Sequence, residues 1–525
     1  MRLGLAFFGI LGMAFLHKPL LIPDETRYLA VAWEMWRDGN FLVPKLNGEF
    51  YTHKPPFLFW LMHLGWSVFG VNAWWPRLLA PIALLLNALL IKRLGQRMFP
   101  ERPKVGSTAA TLYLGTLFPV LFMTQVMFDL WVVLWVLLGL TALVDAHRGA
   151  SLPRTSLMAA VALGMGIVTK GPVLLLYLLP PALAAKHWSA RPKAVLLTGL
   201  CGLLGGAALA LAWAIPAGIA GGEAYREAIF WGQTAGRMNN SFAHARPFWW
   251  YLQLLPVMLY PWVFWRPTFD GWAAVRKNDG WLLRLTLWTV VPQFLVFSAI
   301  SGKQPHYLLP LFPILALALG RRLDSKPEES SSTTEQQAGI PWTLLLPVAL
   351  GLALLTSGFW FAEDKRPDWF SPMRVFWPAG MLLLFPWLLW NQIRKEPFHH
   401  EHIAVIAPSM VMFVLFILGS DFHKAYDIRP VCEIAATHEA EGKAMAFYGS
   451  DYAGQFHFYG RLHTQLGNPH NERELKAWLR ANPEGILFQI VRHGQEDKPY
   501  GFSPRNFWPH EFGSRRIQVW DAAAL

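Results

Sequence analysis

Acidic and basic side chains cluster in one polar segment near the N-terminus, between two apolar segments. The segment runs from IPDETRY to FYTHKPPF, and it carries the acid pair Asp24 and Glu25 together with Arg27, His53 and Lys54. A carboxylate can accept or orient the proton of an attacking hydroxyl, and cations can neutralise the negative charge that grows on a departing phosphate. At the mouth of a hydrophobic bundle, this combination indicates chemistry on a charged substrate that resides in lipid.

The residues that follow Asp24 predict a juxtamembrane helix with the sequence DETRYLAVAWEMWRDG. Its apolar residues recur at helical spacing, and they are Tyr28, Leu29, Ala32, Trp33 and Trp36. Such a helix, lying on the membrane interface, holds Asp24 and Arg27 one turn apart on the same side. The simpler alternative is that Asp24 only caps this helix.

The composition of the chain requires a membrane. Of its 525 residues, 54% are hydrophobic and only 15% are charged, and the mean hydropathy is +0.29. One or two soluble cores could not bury that much apolar surface. The 27 Trp and 36 Phe are typical of aromatic anchors at membrane interfaces. The N-terminal MRLGLAFFGILGMAFL lacks a small-residue cleavage site before Pro23, so we interpret it as a retained first span.

Windows of membrane-spanning length predict an α-helical polytopic protein with about thirteen transmembrane helices. The predicted spans are centred near residues 12, 83, 114, 136, 162, 178, 206, 256, 290, 313, 350, 383 and 411. Lys and Arg follow every even-numbered span, so those loops are predicted to be cytoplasmic. The N-terminus is then cytoplasmic as well. The loop from Asp24 to Pro76, the loop from Glu223 to Arg246, the turn from Ser301 to His306 and the C-terminal tail lie on the periplasmic side.

The composition changes near Asp421. We therefore predict a membrane domain at 1–420 and a small periplasmic α/β domain at 421–525, in which the pattern reads strand, helix, helix, strand. The stretch at 325–339 is typical of a flexible cytoplasmic linker. The net charge of +12 comes largely from the cytoplasmic loops, so we do not expect a nucleic-acid partner.

Five segments carry a family resemblance. The first periplasmic loop, from PDETRY through LVPKLNGEFYTHKPP, is followed in order by QVMFDLW, GIVTKGPV, FWGQTAGRMNNSFAHARPFWWY and SGKQPHYLLPLFP. This series resembles the lipid A aminoarabinose transferases and the wider protein O-mannosyltransferase superfamily, the GT-C polyprenyl-phosphate glycosyltransferases. The resemblance covers the membrane part and, more loosely, the tail.

The resemblance assigns roles to particular residues. Asp24 matches the loop aspartate that serves as general base or orients the acceptor, and Asp129, at the outer start of the fourth span, matches a second acidic position. The residues that match ligands of the donor phosphate are Lys54, Lys170, Arg237, Lys303 and Tyr307. Glu25, Arg27, Tyr28 and His53 belong to the motif as support.

Several of these residues have structural alternatives that the sequence leaves open. Lys54 could be an interfacial lysine whose ammonium group reaches water, and Lys170 and Lys303 could cap helix ends. Asp129, among apolar neighbours, is expected to be functional or ion-paired. His53 stands where many aminoarabinose transferases have Glu. We therefore expect no metal ligand there and no cofactor, because fixed cations can replace a divalent ion.

The resemblance implies an inverting transferase that moves a monosaccharide from a polyprenyl-phosphate donor to a periplasmic acceptor such as lipid A or another envelope glycan. We expect it to act as a monomer in the inner membrane. A flippase or transporter of a lipid-linked substrate is the main alternative. It would place charged residues near the middle of several spans. Spans such as LWVVLWVLLGLTAL are nearly free of charge, which disfavours this alternative. A catalytically silent scaffold protein remains a third hypothesis.

Overall fold

Helices make up most of the protein, and their bounds in the N-terminal half follow the predicted spans closely. The computed structural model describes residues 2–232, 246–324, 342–356, 372–393, 399–492, 507–512 and 515–524. The elements up to residue 227 are α1 (Arg2–His17), α2 (Asp24–Arg37), β1 (Lys45–Leu46), β2 (Glu49–Phe50), α3 (Phe57–Phe69), α4 (Trp74–Met98), α5 (Lys104–Leu114), α6 (Leu117–Phe122), α7 (Asp129–Arg148), α8 (Leu152–Lys170), α9 (Leu174–Leu183), α10 (Ala185–Trp188) and α11 (Pro192–Glu227).

The second half continues the bundle and then changes to a sheet. Its helices are α12 (Trp250–Met258), α13 (Trp272–Ala299), α14 (Phe312–Leu323), α15 (Leu345–Leu355), α16 (Pro372–Ile393), α17 (His400–Ala404), α18 (Ile406–Tyr426), α19 (Arg429–Ala440), α20 (His457–Gly460) and α21 (Glu472–Ala481). Its strands are β3 (Met445–Tyr448), β4 (Ile486–Arg492), β5 (Phe507–Phe512) and β6 (Arg515–Asp521). A 3₁₀ helix at Pro305–Leu311 precedes α14.

Within the described ranges, six helices are long and apolar enough to cross a membrane, so the chain is an integral membrane protein. They are Trp74–Met98, Asp129–Arg148, Leu152–Lys170, Pro192–Trp231, Trp272–Ala299 and His400–Ile417, and each coincides with a predicted span. Four more predicted spans fall on shorter apolar helices, namely Leu3–His17, Leu174–Leu183, Trp342–Leu355 and Ala379–Asn391. The total of about thirteen crossings therefore stays a prediction.

The predicted span near residue 114 is divided into two helices. α5 ends at Leu114, α6 begins at Leu117, and the chain turns between them. A Cβ on Gly115 would lie 2.5 Å from the Cα of Ala404, so a neighbouring backbone occupies the space beside the turn. Glycine at this position leaves room for the neighbouring backbone beside the turn.

The juxtamembrane helix is present as α2, and it begins at Asp24 as predicted. Tyr28, Leu29 and Ala32 are buried on its inner face. The loop that follows is more structured than the sequence indicated. A hairpin of β1 and β2 forms at 45–50, and α3 packs its buried residues Met62 and Trp66 into the main core. With 13 residues, α3 is shorter than the roughly 20 that a span requires.

Small residues bring the long helices of the bundle together. On α11, a Cβ at Gly202 would lie 2.5 Å from the Cβ of Ala159, and one at Gly206 would lie 2.7 Å from the Cβ of Leu163. Both neighbours belong to α8. Close backbone approach through Gly and Ala is the usual way for helices to pack in lipid, and here it joins α11 to the part of α8 at Ala159 and Leu163.

The C-terminal region forms a four-stranded sheet with the strand order β3-β4-β6-β5. β3 and β4 are parallel, with Phe447 opposite Phe488, whereas β6 runs antiparallel to both of its neighbours. The predicted order of strand, helix, helix and strand matches β3, α20, α21 and β4. The last two strands were not predicted. α18 has a break at Gly419 (φ +48°), next to the predicted domain boundary at 420. The boundary itself stays a prediction.

Candidate active site

Asp24 and Arg27 form an ion pair on the first turn of α2. Oδ1 of Asp24 accepts a hydrogen bond from Nη2 of Arg27, as the predicted spacing of one turn requires. The residue that precedes the helix is Pro23, and the Asp24 side chain makes no capping hydrogen bond. The capping alternative is therefore not observed. The Asp24 side chain is 48% exposed, so the carboxylate stays open to a substrate.

Tyr28 connects this pair to the start of α7. Its ring is buried and packs edge-on against Phe128, with a centroid distance of 5.0 Å. Burial, followed by the charge of Asp24, raises the pKa of the Tyr28 phenol well above its usual value, and Asp129 acts in the same direction. Because Tyr28 of α2 contacts Phe128, the residue before Asp129, Asp24 and Asp129 lie on the same side of the protein. The phenol stays protonated at neutral pH.

Asp129 is the first residue of α7, as predicted, and its carboxylate is buried. Oδ1 accepts a hydrogen bond from Nζ of Lys170, the last residue of α8. The ammonium group of Lys170 also lies over the ring of Tyr307, 5.0 Å from its centroid. This confirms the expectation that Asp129 is ion-paired. It brings three of the predicted site residues into one cluster.

Lys54 and His306 complete the electrostatic surroundings of Asp129. The side chains of His306, Lys170 and Lys54 all lie close enough to interact with the charge of the Asp129 carboxylate. Lys54 is half-buried, whereas His53 is exposed, with its ring 5.4 Å from that of Tyr51. The predicted phosphate ligands Lys54, Lys170 and Tyr307 are thus gathered around Asp129. His306 joins them, although the sequence identified it only as the end of a periplasmic turn, and its position next to Tyr307 was the available signal.

Glu25 is buried, and its hydrogen bonds connect the start of α2 to the segment that precedes α7. Its Oε2 accepts hydrogen bonds from Nζ of Lys18 at 2.5 Å and from the amide of Leu21 at 2.9 Å. Its Oε1 accepts one from the amide of Val126 at 2.7 Å, three residues before Asp129. The sequence identified Glu25 only as motif support. Lys18, its buried partner, was missed because it follows an apolar span and resembles an ordinary interfacial lysine.

Lys303 lies in a different environment from the other cations. It is buried, and Nζ donates to the carbonyl oxygens of Ile300 at 2.5 Å and Arg246 at 2.9 Å. Because α13 ends at Ala299, these contacts match the helix-capping role that the sequence left open for Lys303. Arg237, the remaining predicted phosphate ligand, lies outside the described residues. Neither residue joins the cluster of Asp129, Lys54, Lys170 and Tyr307 in the contacts described.

Across the described part of the chain, no group of three or more His, Cys, Asp or Glu side chains is placed to hold a metal ion. The cluster around Asp129 contains two lysine side chains, those of Lys54 and Lys170. An exposed carboxylate beside an arginine, with lysines nearby, can accept a proton on one side and neutralise a phosphate on the other.

Comparisons with known proteins agree with the observed fold. The profile of the family described as dolichyl-phosphate-mannose-protein mannosyltransferase matches residues 53–218. Two crystal structures of ArnT from Cupriavidus metallidurans, one bound to undecaprenyl phosphate and one in the apo state, share the fold. Each has a TM-score of 0.72 and covers 99% of this chain and 97% of its own, at 18% and 17% identity. The chain therefore has the fold of these membrane proteins.

Sequence relatives identify the family more closely. Undecaprenyl phosphate-alpha-4-amino-4-deoxy-L-arabinose arabinosyl transferase 1 from Pseudomonas fluorescens (strain Pf-5) is 33% identical over 76% of this chain and 71% of its own length. The corresponding transferase of Pseudomonas aeruginosa (strain LESB58) is 32% identical over 70% of each chain. A second Pseudomonas fluorescens transferase, from strain Pf0-1, is 31% identical, and the match spans 65% of its length. The chain belongs to this family of arabinosyl transferases, which confirms the resemblance found in the sequence.

Proposed function

We propose that this membrane glycosyltransferase moves 4-amino-4-deoxy-L-arabinose, or a closely related monosaccharide, from undecaprenyl phosphate to lipid A or another envelope glycan. The relatives are named for that donor and sugar. The observation that carries the proposal is the half-exposed Asp24–Arg27 pair, linked through Tyr28 to the cations around Asp129. His53, which replaces a Glu of many family members, leaves the exact sugar as the open part of the proposal.

The reaction is a single displacement. The acceptor hydroxyl attacks the anomeric carbon as its proton passes to the Asp24 carboxylate, and the bond from that carbon to the phosphate oxygen breaks. The bonding electrons leave with the polyprenyl phosphate, so its negative charge increases. Lys54, Lys170 and Tyr307 are placed to stabilise that charge, with Arg237 and Lys303 as the further phosphate ligands that the family pattern assigns. Attack from the side opposite the leaving group inverts the anomeric configuration.

No divalent ion is required in this scheme, because lysine and arginine can neutralise the phosphate. We expect initial rates to stay within about twofold of the untreated enzyme after exhaustive chelation with EDTA. A rate that collapses on chelation and returns with one added divalent metal would refute this part of the proposal.

We also propose an orientation and an oligomeric state. The basic residues after alternate spans favour a cytoplasmic N-terminus in the inner membrane, with the site and the C-terminal sheet in the periplasm. The lipid-linked donor, the acceptor and the membrane lipids are the partners that this arrangement needs, and a single chain carries the whole cluster around Asp129.

The direct test uses purified protein in lipid nanodiscs with synthetic undecaprenyl-phosphate-linked 4-amino-4-deoxy-L-arabinose and lipid A. Mass spectrometry should show lipid A heavier by one sugar residue and an equal amount of released undecaprenyl phosphate. If several envelope glycans stay unmodified while the donor crosses the bilayer of protein-containing vesicles, the flippase alternative is correct.

A further inference from the structure

Besides Glu25, α2 carries a second buried carboxylate, which the site described above does not include. Glu34 lies ten residues after Asp24, on the same helix, and its side chain is fully buried. Its Oε1 accepts a hydrogen bond from the amide of Asn47 at 2.5 Å, and its Oε2 accepts one from the amide of Gly48 at 2.9 Å. One carboxylate therefore binds two consecutive amides of another segment.

Those two amides form the turn of the β1–β2 hairpin. Lys45 pairs with Phe50 and Leu46 with Glu49, so Asn47 and Gly48 are the two turn residues. Their φ angles of +56° and +76° lie in the left-handed region, where Asn-Gly is the favoured sequence for such a turn. A hairpin with two-residue strands is too short to be stable alone. Its position therefore depends on what it binds.

The C-terminal region contacts the same turn through residues 465–466. Nδ2 of Asn47 donates to the carbonyl oxygen of Leu466 at 2.9 Å, and Oδ1 of Asn47 accepts from the amide of Leu466 at 2.9 Å. A Cβ on Gly48 would lie 1.9 Å from Nε2 of Gln465, so the side chain of Gln465 fills the space above the turn. Together, Glu34 and the segment at 465–466 hold the hairpin between α2 and the C-terminal region.

The chain leaves this hairpin toward the active site. The amide of Tyr51 donates to the carbonyl oxygen of Pro44 at 2.9 Å, which extends the hairpin by one residue. Tyr51 is buried, and its phenol acts electrostatically on Arg27 and Tyr28. Lys54 follows three residues later and acts on Asp129. The place of the hairpin thus sets the place of Lys54.

We infer that Glu34 and Asn47 are positioning residues: by fixing the hairpin turn to α2 and to the segment at 465–466, they hold Lys54 where it meets the donor phosphate. This makes the C-terminal region part of the active-site framework. The inference rests on the proposed function for the identity of the phosphate, but the structural link between Glu34 and residues 47–56 is independent of it.

Glu34→Ala tests the inference in the full-length protein in nanodiscs. With one substrate varied at a time, the KM for the undecaprenyl-phosphate donor should rise about tenfold or more, because a displacement of about 1 Å at a charged contact is costly. The KM for the acceptor should stay within about twofold of the wild-type value. Hydrogen–deuterium exchange should become faster at residues 47–56.

Asn47→Gly is the second variant. Glycine keeps the left-handed turn and the main-chain hydrogen bonds to Glu34, and only the two hydrogen bonds to Leu466 are lost. It should raise the donor KM in the same direction by a smaller factor, and it keeps the test available if Glu34→Ala does not fold.

Asn471→Ala is the matched control. Asn471 caps α21 in the same C-terminal region by accepting a hydrogen bond from the amide of Glu474. This variant loses stability there without a change at the hairpin. A smaller folded fraction lowers Vmax and leaves both KM values unchanged.

If Glu34→Ala and Asn47→Gly give that same pattern, with unchanged exchange at 47–56, the inference is wrong. If the wild-type protein transfers no sugar, the proposed function fails, and the exchange rates alone decide the positioning role.

Discussion

Asp24 combines an open carboxylate with a fixed partner, and this combination separates it from the other acids of the site. Asp129 and Glu25 are buried and saturated by cations or amides, so they hold structure and charge in place. Asp24 is half-exposed and bonded to Arg27. Of these three acids, only Asp24 has room for an acceptor hydroxyl.

Replacing Asp24 with Asn should lower the transfer rate by about 10²- to 10⁴-fold, because the amide keeps the shape but cannot accept the proton. Binding of undecaprenyl phosphate and the thermal unfolding temperature should change little. Rates come from mass spectrometry of the acceptor, and binding comes from titration with undecaprenyl phosphate. Asp38→Asn is the control, since Asp38 pairs with Arg37 at the other end of the same helix. Substantial turnover by the Asp24 variant would remove its assigned role.

Lys303 has two competing explanations, and kinetics can separate them. As a phosphate ligand, which is the role that the family pattern assigns, Lys303→Ala should raise the donor KM severalfold more than the acceptor KM. As a helix cap, which its contacts with Ile300 and Arg246 resemble, it should lower stability and affect both substrates equally. We expect the first result. Equal effects on the two substrates would make Lys303 a structural lysine.

At the residue scale, the sequence located the main cluster but not its internal bonding. Asp24, Lys54, Asp129, Lys170 and Tyr307 were found through motif resemblance. The pairing of Asp129 with Lys170 could not be predicted, because 41 positions separate the two residues. Only the packing of α7 against α8 brings them together.

At the scale of elements, the ion pair of Asp129 and Lys170 joins the first residue of α7 to the last residue of α8. Lys170→Ala should leave a buried carboxylate without its hydrogen-bonded partner and destabilise the protein by about 3–5 kcal/mol. Scanning fluorimetry, with the intrinsic signal of 27 Trp, measures the shift. The double variant Asp129→Asn with Lys170→Ala should regain much of that stability without regaining activity. An unchanged unfolding temperature for the single variant would contradict the ion pair.

The contact between α20 and α2 should respond to pH. Burial lowers the pKa of His457 to about 4, and the charge of Arg37 lowers it further. The charge of Glu439 acts in the opposite direction. Its Nδ1 lies 2.8 Å from the Tyr452 hydroxyl, and its Nε2 lies 3.9 Å from Glu34. The unfolded chain binds a proton at higher pH than the folded chain does. The contribution of neutral His457 to the free energy of unfolding is therefore fully present above about pH 6.5. It is lost as the pH falls toward 4, which lowers the free energy of unfolding by roughly 3 kcal/mol.

Unfolding temperatures measured between pH 4 and 8 check this expectation. His457→Gln should flatten the profile over that window because glutamine does not titrate. A variant with the same acid sensitivity as the wild-type protein would show that other groups cause it.

Elements whose apolar residues recur with a clear helical period could be predicted from the sequence, whereas elements defined by tertiary contacts could not. α2 was located from its helical spacing, and α7 from an acidic residue that starts an apolar run. The hairpin at 45–50 has strands of two residues, too few to show an alternating pattern. It exists because Glu34 and Leu466 bind its turn. α3 was assigned to a loop because its apolar run is shorter than a span.

On the scale of the whole molecule, the bundle and the C-terminal sheet form one continuous framework. Phe458 stacks on Trp66 of α3 at 5.7 Å, and Nε1 of Trp33 donates to the carbonyl oxygen of Leu462 at 3.1 Å. The membrane character followed from composition alone, since no soluble core could hold the apolar surface. The close docking of the tail on α2 did not, because the contacting residues lie more than 400 positions apart.

The most direct test of sugar transfer compares envelope lipids and glycans from cells that lack the gene, cells complemented with the wild-type protein and cells complemented with Asp24→Asn. Mass spectrometry should show one component that gains the mass of a single sugar residue only with the wild-type protein. Restoration of that component by the Asp24 variant at equal protein level, or its presence in cells without the gene, would contradict the account.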